Sequence, residues 1–317
     1  MPHASTEDLN ELVEDLAKGE APGSARLALL SDLTRDEADI IRGRWQTVPA
    51  STRESLFDET TILAEMDVTL DFHEFAKIGL DDPEAAVRLT AIAALWEATD
   101  RDTADRLTRL LQTDPEESVR EAAAGSLRDF VLLREMEEID AEAGDGIVDA
   151  LRSAFEDSGE ATNVRAAAIE SLGPRTLPWV NTLITDAYYH EDRVLRIAAV
   201  RAMADSANPD WLPYLEEDLR STDAELRFEA VVAVGEVGPE EAVDLVAPLL
   251  EDEDRQVVLA TIRSLGALGG DAAIEILEDV VAETDDAELR EEATAAIDIA
   301  RFGEEQKEGG DDDSWDE

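Results

Sequence analysis

Cysteine is absent from the 317 residues, and aromatic residues make up only 5% of them. Without cysteine the chain forms no disulfides and no thiolate metal sites. With so few aromatic rings, a core must be built from small and medium aliphatic side chains, which favours closely packed helices over a large β-sandwich. No apolar run approaches the roughly 18 residues of a membrane-spanning helix, so no membrane segment is expected.

The first residues, MPHASTEDLNELVEDL, also lack the features of a secretory signal. They predict an acidic helix where a signal peptide would carry a basic end and an apolar run. We therefore expect a soluble, cytoplasmic protein.

Basic residues are scarce: 27 Lys and Arg stand against 78 Asp and Glu, a net charge of −51, and lysine occurs only at Lys18, Lys77 and Lys307. The acids are spread through segments with a regular apolar period, so most are expected on solvated helix faces. A composition rich in Asp and Glu and poor in Lys and Cys resembles that of soluble proteins from organisms with molar salt in the cytoplasm. There a Debye length of roughly 3 Å screens the repulsion between like charges. We therefore expect the acidity to reflect a salty solvent, so that it is a weak guide to the partner.

The chain does contain a repeat, since DPEAAVRLTAIAALW at 82–96 returns in altered form as DPEESVREAAAGSL at 114–127. An apolar residue followed by arginine marks six copies, and Val257-Val258 holds the same place in a seventh. The six pairs are Val87-Arg88, Val119-Arg120, Val164-Arg165, Leu195-Arg196, Leu226-Arg227 and Leu289-Arg290. The steps between copies are 32, 45, 31, 31, 31 and 32 residues. This period, with one insertion, is typical of a solenoid.

Each copy is predicted to form two helices. The second begins near the marker pair and buries positions i, i+4 and i+8, with a small residue in the middle so that neighbouring helices approach closely. These triplets include Val87-Ala91-Leu95, Val164-Ala168-Leu172, Leu226-Ala230-Val234 and Val257-Thr261-Leu265. Glycine or Gly-Pro often ends the unit, as in SLGPRTLP and AVGEVGPEE, because glycine takes the left-handed cap and proline can open the next helix.

The pattern DP-x-x-x-VR-x-x-A-x-x-x-L followed by a glycine turn resembles the HEAT-like repeats first grouped with phycobilisome lyases. The resemblance covers about residues 80–302 and implies an all-α fold, a right-handed α-solenoid of about seven units. It also implies that an acid before each second helix pairs with the arginine of that helix, as Asp82 and Asp114 would. His190, Ser221 and Thr284 depart from this arrangement.

The remaining segments complete the predicted organisation. Residues 1–24 form a helix and linker, and residues 25–80 form a helical cap that seals the first repeat. The repeats occupy 81–302, and residues 303–317 are expected to be a disordered acidic tail. The long step contains an acidic insertion near 134–146, either an extension of a helix or a loop.

Few residues suggest catalysis. His3, His73 and His190 have no partner at ligand spacing, and no zinc, calcium, P-loop or dinucleotide motif is present. We therefore expect no catalytic residue, no cofactor and no metal. Tyr188, Tyr189 and His190 form the cluster that most resembles a reactive site. We interpret it instead as a turn with aromatic side chains that pack on their neighbours. No basic stripe emerges, which argues against a nucleic-acid partner.

The surface of the second helices is the remaining candidate site. In four copies the residue directly after the marker pair is apolar. In three of these copies the residue four positions after that one is Arg or Val, on the same face of the helix. These candidate partner-binding residues are Leu89, Ile197, Arg201, Phe228, Val232, Leu259 and Arg263. Either they form an apolar strip flanked by arginines, or they pack between neighbouring units.

These observations predict a non-catalytic scaffold or adaptor that is monomeric and binds another protein. The alternative is a lyase or accessory factor that acts on a protein bearing a cofactor or bilin.

Overall fold

The computed structural model describes residues 5–19 and 22–310, and within these ranges all regular structure is helical. The described residues divide into two compact units, one ending at Ser171 and the other beginning at Leu172. No helix in the described ranges is both long enough and apolar enough to span a bilayer.

The first unit contains eleven helices, the last of which reaches one residue into the second unit. They are α1 (Thr6–Ala17), α2 (Ser24–Leu27), α3 (Arg35–Arg44), α4 (Ala50–Met66), α5 (His73–Gly79), α6 (Ala85–Ala93), α7 (Arg101–Thr113), α8 (Glu117–Ser126), α9 (Arg128–Glu135), α10 (Ala141–Glu156) and α11 (Thr162–Leu172).

The second unit contains eight helices, two of which, α14 and α16, are extended by short 3-10 turns. They are α12 (Pro178–Tyr188), α13 (Arg193–Asp205), α14 (Leu212–Asp218), α15 (Ala224–Val237), α16 (Val243–Val246), α17 (Arg255–Leu268), α18 (Gly270–Glu283) and α19 (Ala287–Gly310).

The predicted solenoid of helical hairpins is confirmed. The seven marker pairs lie in α6, α8, α11, α13, α15, α17 and α19. Preceding helices pack on them as first members of the hairpins, for example α7 on α8, α12 on α13 and α18 on α19. In the second unit α13, α15, α17 and α19 pack in sequence, each on the next. Their surfaces are therefore neighbours along that unit.

The central small residue of each predicted triplet lies in the seam between hairpins. Ala91, Ala168, Ala230 and Thr261 are fully buried. The same closeness explains Gly266 of α17, where a Cβ atom would lie 2.9 Å from the backbone of Ala296 in α19. Only small side chains allow helix axes to approach this far.

The segment predicted as an N-terminal cap is helical. α3 packs on α5 and α4 on α6, so α3 and α4 lie in front of the first repeat. Trp45 and Phe57 pack with Phe75 of α5, with ring centroids 5.1–5.8 Å apart. The helix α5, which falls within the segment predicted as cap, is the first helix of the first repeat.

The long step contains an additional helix, α9, before α10. The acidic segment 134–146 covers the end of α9, a short connection and the first turns of α10, so both alternatives apply to parts of it. Asp140 caps α10 by accepting a hydrogen bond from the Ala143 N–H at 3.1 Å.

The segment predicted as a disordered tail begins within α19, which continues to Gly310. Glu, Gln and Lys at 304–308 are good helix formers and no proline interrupts them, which accounts for the continuation. Residues 311–317 lie outside the described residues, as does His3.

Candidate partner-binding surface

Buried arginines join neighbouring hairpins, but not with the partners that the resemblance implied. Asp82 was expected to pair with Arg88 of its own hairpin. It instead pairs with Arg53 of the cap, whose Nε lies 2.8 Å from its Oδ2. Asp114 likewise binds Arg88 at 2.8 Å. Each carboxylate therefore holds the arginine of the preceding hairpin and links two hairpins.

The arginine also binds its own hairpin through a backbone carbonyl six residues earlier. Arg227 donates to the Ser221 carbonyl at 2.9 Å, and Arg290 donates to that of Thr284. A carbonyl is present whatever the side chain, so the departures at Ser221 and Thr284 leave this contact intact. Acids of the next hairpin complete the series: Glu160 binds Arg120 (2.7 Å), Asp218 binds Arg196, and Asp252 binds Arg227 (2.7 Å).

A second set of arginines lies on the surface of the second unit, each at the first residue of a second helix. Each reaches the N-cap aspartate of the next second helix and the glutamate two residues beyond it. The contacts are Arg193 to Asp223 (2.9 Å) and Glu225 (2.5 Å), and Arg255 to Asp286 (2.7 Å) and Glu288 (2.6 Å). These arginine hydrogen bonds lower the pKa of Asp223 and of Asp286 to about 2.

We expect this pairing to make stability pH-dependent. The pKa of Asp223 is lower in the folded chain than its ordinary value of 3.8, so its contribution is present above pH 3.8 and disappears as the pH falls through about 2. The variant Asp223→Asn, which keeps a good N-cap residue, should unfold at lower urea than the wild type at pH 6. The difference should shrink steadily as the pH falls from 3.8 to about 2.

Urea unfolding between pH 2 and 6 in molar KCl measures this. The matched control is Asp254→Asn, because Asp254 caps α17 in the same way, through the Gln256 N–H at 2.8 Å, without an arginine. A destabilisation by Asp223→Asn that stays constant over the whole pH range would contradict the assignment.

The two arginines predicted to flank the strip have partners within the chain. Arg201 binds Glu229 at 2.6 Å, and Arg263 binds Glu292 at 2.7 Å. Both links run from one second helix to the next. These arginines therefore join neighbouring hairpins, and their positive charge is offset by the adjacent carboxylates.

The predicted apolar strip is only partly exposed. Ile197 and Leu259 are 5% and 4% exposed, so for these two the packing alternative holds. Phe228 and Val232 on α15 are half-buried and keep some accessible surface. Leu89 is half-buried as well but belongs to the first unit. In the second unit the accessible apolar surface of the strip is therefore that of α15.

A cleft of about 330 Å³ opens beside Phe228, between the first turns of α15 and of α17. Its floor is apolar and its rim is acidic. The lining residues are Ala224, Glu225, Phe228, Glu229, Asp254 and Gln256. Only Phe228 among them was singled out from the sequence. Aligning the first residue of each second helix would have revealed Ala224, where arginine stands one hairpin before and one hairpin after.

The tyrosine cluster is arranged for packing. Tyr188 is buried, with its ring edge-on to Tyr214 at 5.4 Å, while its hydroxyl donates to the Tyr214 carbonyl at 3.2 Å. His190 is exposed, and its Nδ1 accepts the Asp192 N–H at 3.0 Å. Burial raises the pKa of both Tyr188 and Asp218, which lies beneath Arg196.

These features define a class: an all-helical solenoid whose hairpins are joined by buried Arg-carboxylate pairs and by a seam of small residues. A family model described as HEAT repeats matches residues 74–140, 180–246 and 216–298. The chain therefore belongs to the HEAT-repeat family.

Several solved structures are similar to this chain in fold. YibA of Escherichia coli is 19% identical, covering 80% of this chain and 98% of that protein, with a TM-score of 0.46. The CpcE–CpcF complex of phycocyanin lyase from a Nostoc species is 22% identical over 61% of this chain and 75% of that one (TM-score 0.44). Human deoxyhypusine hydroxylase is 18% identical over 94% and 97% (TM-score 0.34). No curated protein matches the chain.

Proposed function

We propose that this chain is a non-catalytic adaptor that binds another protein through the second helices of its second unit. The observation that carries the proposal is the surface of α15, where Phe228 and Val232 are half-buried beside a cleft of about 330 Å³. Interface cores combine an accessible aromatic anchor with a polar rim. Phe228 provides the anchor, and the acidic rim of the cleft surrounds it.

The ion pairs around this surface favour a rigid platform. Arg201 and Arg193 tie α13 to α15 on one side of Phe228, and Arg263 ties α17 to α19 on the other. A surface held in place before binding loses little conformational entropy when a partner docks.

The cluster of Asp218, Arg196 and Tyr188 in the second unit supports a non-catalytic function. Asp218 has no exposed surface, and the Arg196 guanidinium lies 4.9 Å from the centre of the Tyr188 ring. A substrate has no path to a carboxylate buried in this way. The cluster instead joins two hairpins.

Affinity capture from native cells in molar KCl tests the proposal. The wild type should retain one protein in stoichiometric amount, and the double variant Phe228→Ala/Val232→Ser should lose it at least about tenfold, because hot-spot aromatics dominate interface energy. The matched control is Tyr189→Ala, which removes an aromatic ring that is 69% exposed at the end of a first helix. Equal capture by the double variant and the control would reject this surface.

A further inference from the structure

Of the three second helices that are followed by another one in the second unit, α13 and α17 begin with a surface arginine and α15 omits it; α19, the last, also begins with alanine. The first residues of α13, α15 and α17 are Arg193, Ala224 and Arg255, at equal steps of the repeat. Arginine thus stands at this position before and after the hairpin of α15 but not within it. Alanine is too short to reach a neighbouring helix.

The carboxylate that would bind such an arginine is nevertheless present at the same position of each following repeat. The N-cap residues of α15, α17 and α19 are Asp223, Asp254 and Asp286, and each accepts the backbone N–H two residues later at 2.8–3.1 Å. Asp223 and Asp286 also bind Arg193 and Arg255. Asp254 forms no ion pair with any described residue of the chain, and Ala224 stands where its arginine would be. Arg227 acts on Asp254 only as a nearby charge, and its own ion pair is with Asp252.

The cleft lies at this omission. It is bounded by Ala224 on one side and by Asp254 and Gln256 on the other, with Phe228 in its wall. Its volume of about 330 Å³ is larger than an arginine side chain needs. The cleft is therefore the space that an arginine at position 224 would fill.

We propose that this cleft binds an arginine side chain of the partner protein, an inference that rests on the proposed adaptor function. The guanidinium would bind Asp254 as Arg193 binds Asp223. The partner would thus supply the arginine that the chain itself lacks at position 224. Its flat face would lie on Phe228. The chain itself shows this arrangement, because Arg196 lies over Tyr188 at 4.9 Å and Arg165 over Phe155 at 5.5 Å.

Arginine fits this cleft better than lysine. A planar guanidinium binds a carboxylate through two parallel N–H groups and stacks on an aromatic ring, whereas an ammonium group is a compact, strongly hydrated charge. Nearby Glu225 and Glu229 hold Arg193 and Arg201 through side-chain contacts on the α13 side. Because Asp223 and Glu225 share the single charge of Arg193, this group keeps a net negative charge that, together with Asp254, attracts a further cation.

The experiment uses the full chain in molar KCl with two blocked tripeptides, acetyl-Leu-Arg-Leu-amide and its citrulline analogue. Citrulline keeps the shape of arginine but is uncharged. Titration followed by amide NMR should shift the signals of Asp254 and of the Gln256 side chain, with affinity for the arginine peptide at least about tenfold above that for the citrulline peptide.

Two variants place the binding in the cleft. Ala224→Arg should fill the space from within and lower arginine-peptide affinity at least about tenfold, while its unfolding midpoint stays at or above that of the wild type. Ala287→Arg adds the same side chain at the first residue of α19 and should bind the peptide as the wild type does. Asp254→Asn retains the N-cap and should reproduce the loss if Ala224→Arg does not fold.

Equal affinity for the two peptides, or undiminished binding by both Ala224→Arg and Asp254→Asn, would overturn the arginine site. These results do not depend on the native partner. A capture experiment that yields no stoichiometric protein would reject the adaptor function alone.

Discussion

Replacing Asp82 with alanine should destabilise the first unit by about 3–5 kcal/mol, because it leaves the buried Arg53 without its counter-charge. The Asp82 side chain is fully buried and that of Arg53 is 5% exposed. Asp82 also accepts hydrogen bonds from the Trp45 indole at 2.7 Å and from the Glu84 N–H at 2.9 Å. One substitution therefore removes the acceptor of three donors from three segments.

Urea unfolding in molar KCl, followed by tryptophan fluorescence, measures this loss. The adjacent Asp81 provides the control: it is 51% exposed and pairs with Arg106 and Arg109 on the surface. Asp81→Ala should cost less than about 1 kcal/mol, as exposed ion pairs do. The double variant Asp82→Leu/Arg53→Met should recover part of the stability, since both charges are then absent while the Trp45 and Glu84 N–H groups stay without this acceptor. Similar losses for Asp81→Ala and Asp82→Ala would contradict the buried pair.

The second large effect is expected at Gly266, where valine should destabilise the second unit by about 3 kcal/mol or more, at or above the usual limit for an overpacked core. A Cβ atom at this position would lie 2.9 Å from the Cα, the Cβ and the carbonyl oxygen of Ala296. Backbone atoms cannot rotate away as the end of a side chain can. The α17 and α19 helices must therefore separate, which opens the seam between two hairpins.

The control is Gly146→Val in α10, an exposed helical glycine whose Cβ would meet no atom within 4 Å. There valine should change stability by no more than about 0.5 kcal/mol, because surface substitutions usually have small effects. Both variants are measured by urea unfolding, with hydrogen exchange of α17 amides to assign the loss to the seam. A Gly266→Val protein as stable as Gly146→Val would disprove the close approach of α17 and α19.

Much of the fold was predictable because each hairpin repeats the same local pattern. The marker pairs located all seven second helices, and the predicted central residues Ala91 and Ala230 are fully buried. The cap was predicted as helical, yet its kinship with the repeats was missed. Its arginine, Arg53, follows a threonine instead of an apolar residue, so it does not match the marker. Only its contact with Asp82 shows that it holds the same position.

The candidate site was less predictable, because the chemistry of a surface residue depends on the hairpin beside it. Phe228 and Ile197 occupy the same place in their repeats, but Phe228 is only half-buried whereas Ile197 is buried. The sequence pattern predicted that Arg201 would be available to a partner, but Arg201 forms an ion pair with Glu229 of the next second helix. The predicted strip is consequently smaller and more acidic than its sequence pattern indicated.

The local period of apolar and small residues was sufficient to establish helical hairpins, their number and the residues of their seam, since neighbours three or four positions apart share one helix face. The choice of partner for each arginine depended on packing across about 22 to 40 residues of sequence, where periodicity carries no information. The cleft at Ala224 is hidden from the sequence for the same reason, because its two sides come from different hairpins. An alanine is unremarkable in a helix, and its significance comes from the unpaired Asp254 on the neighbouring one.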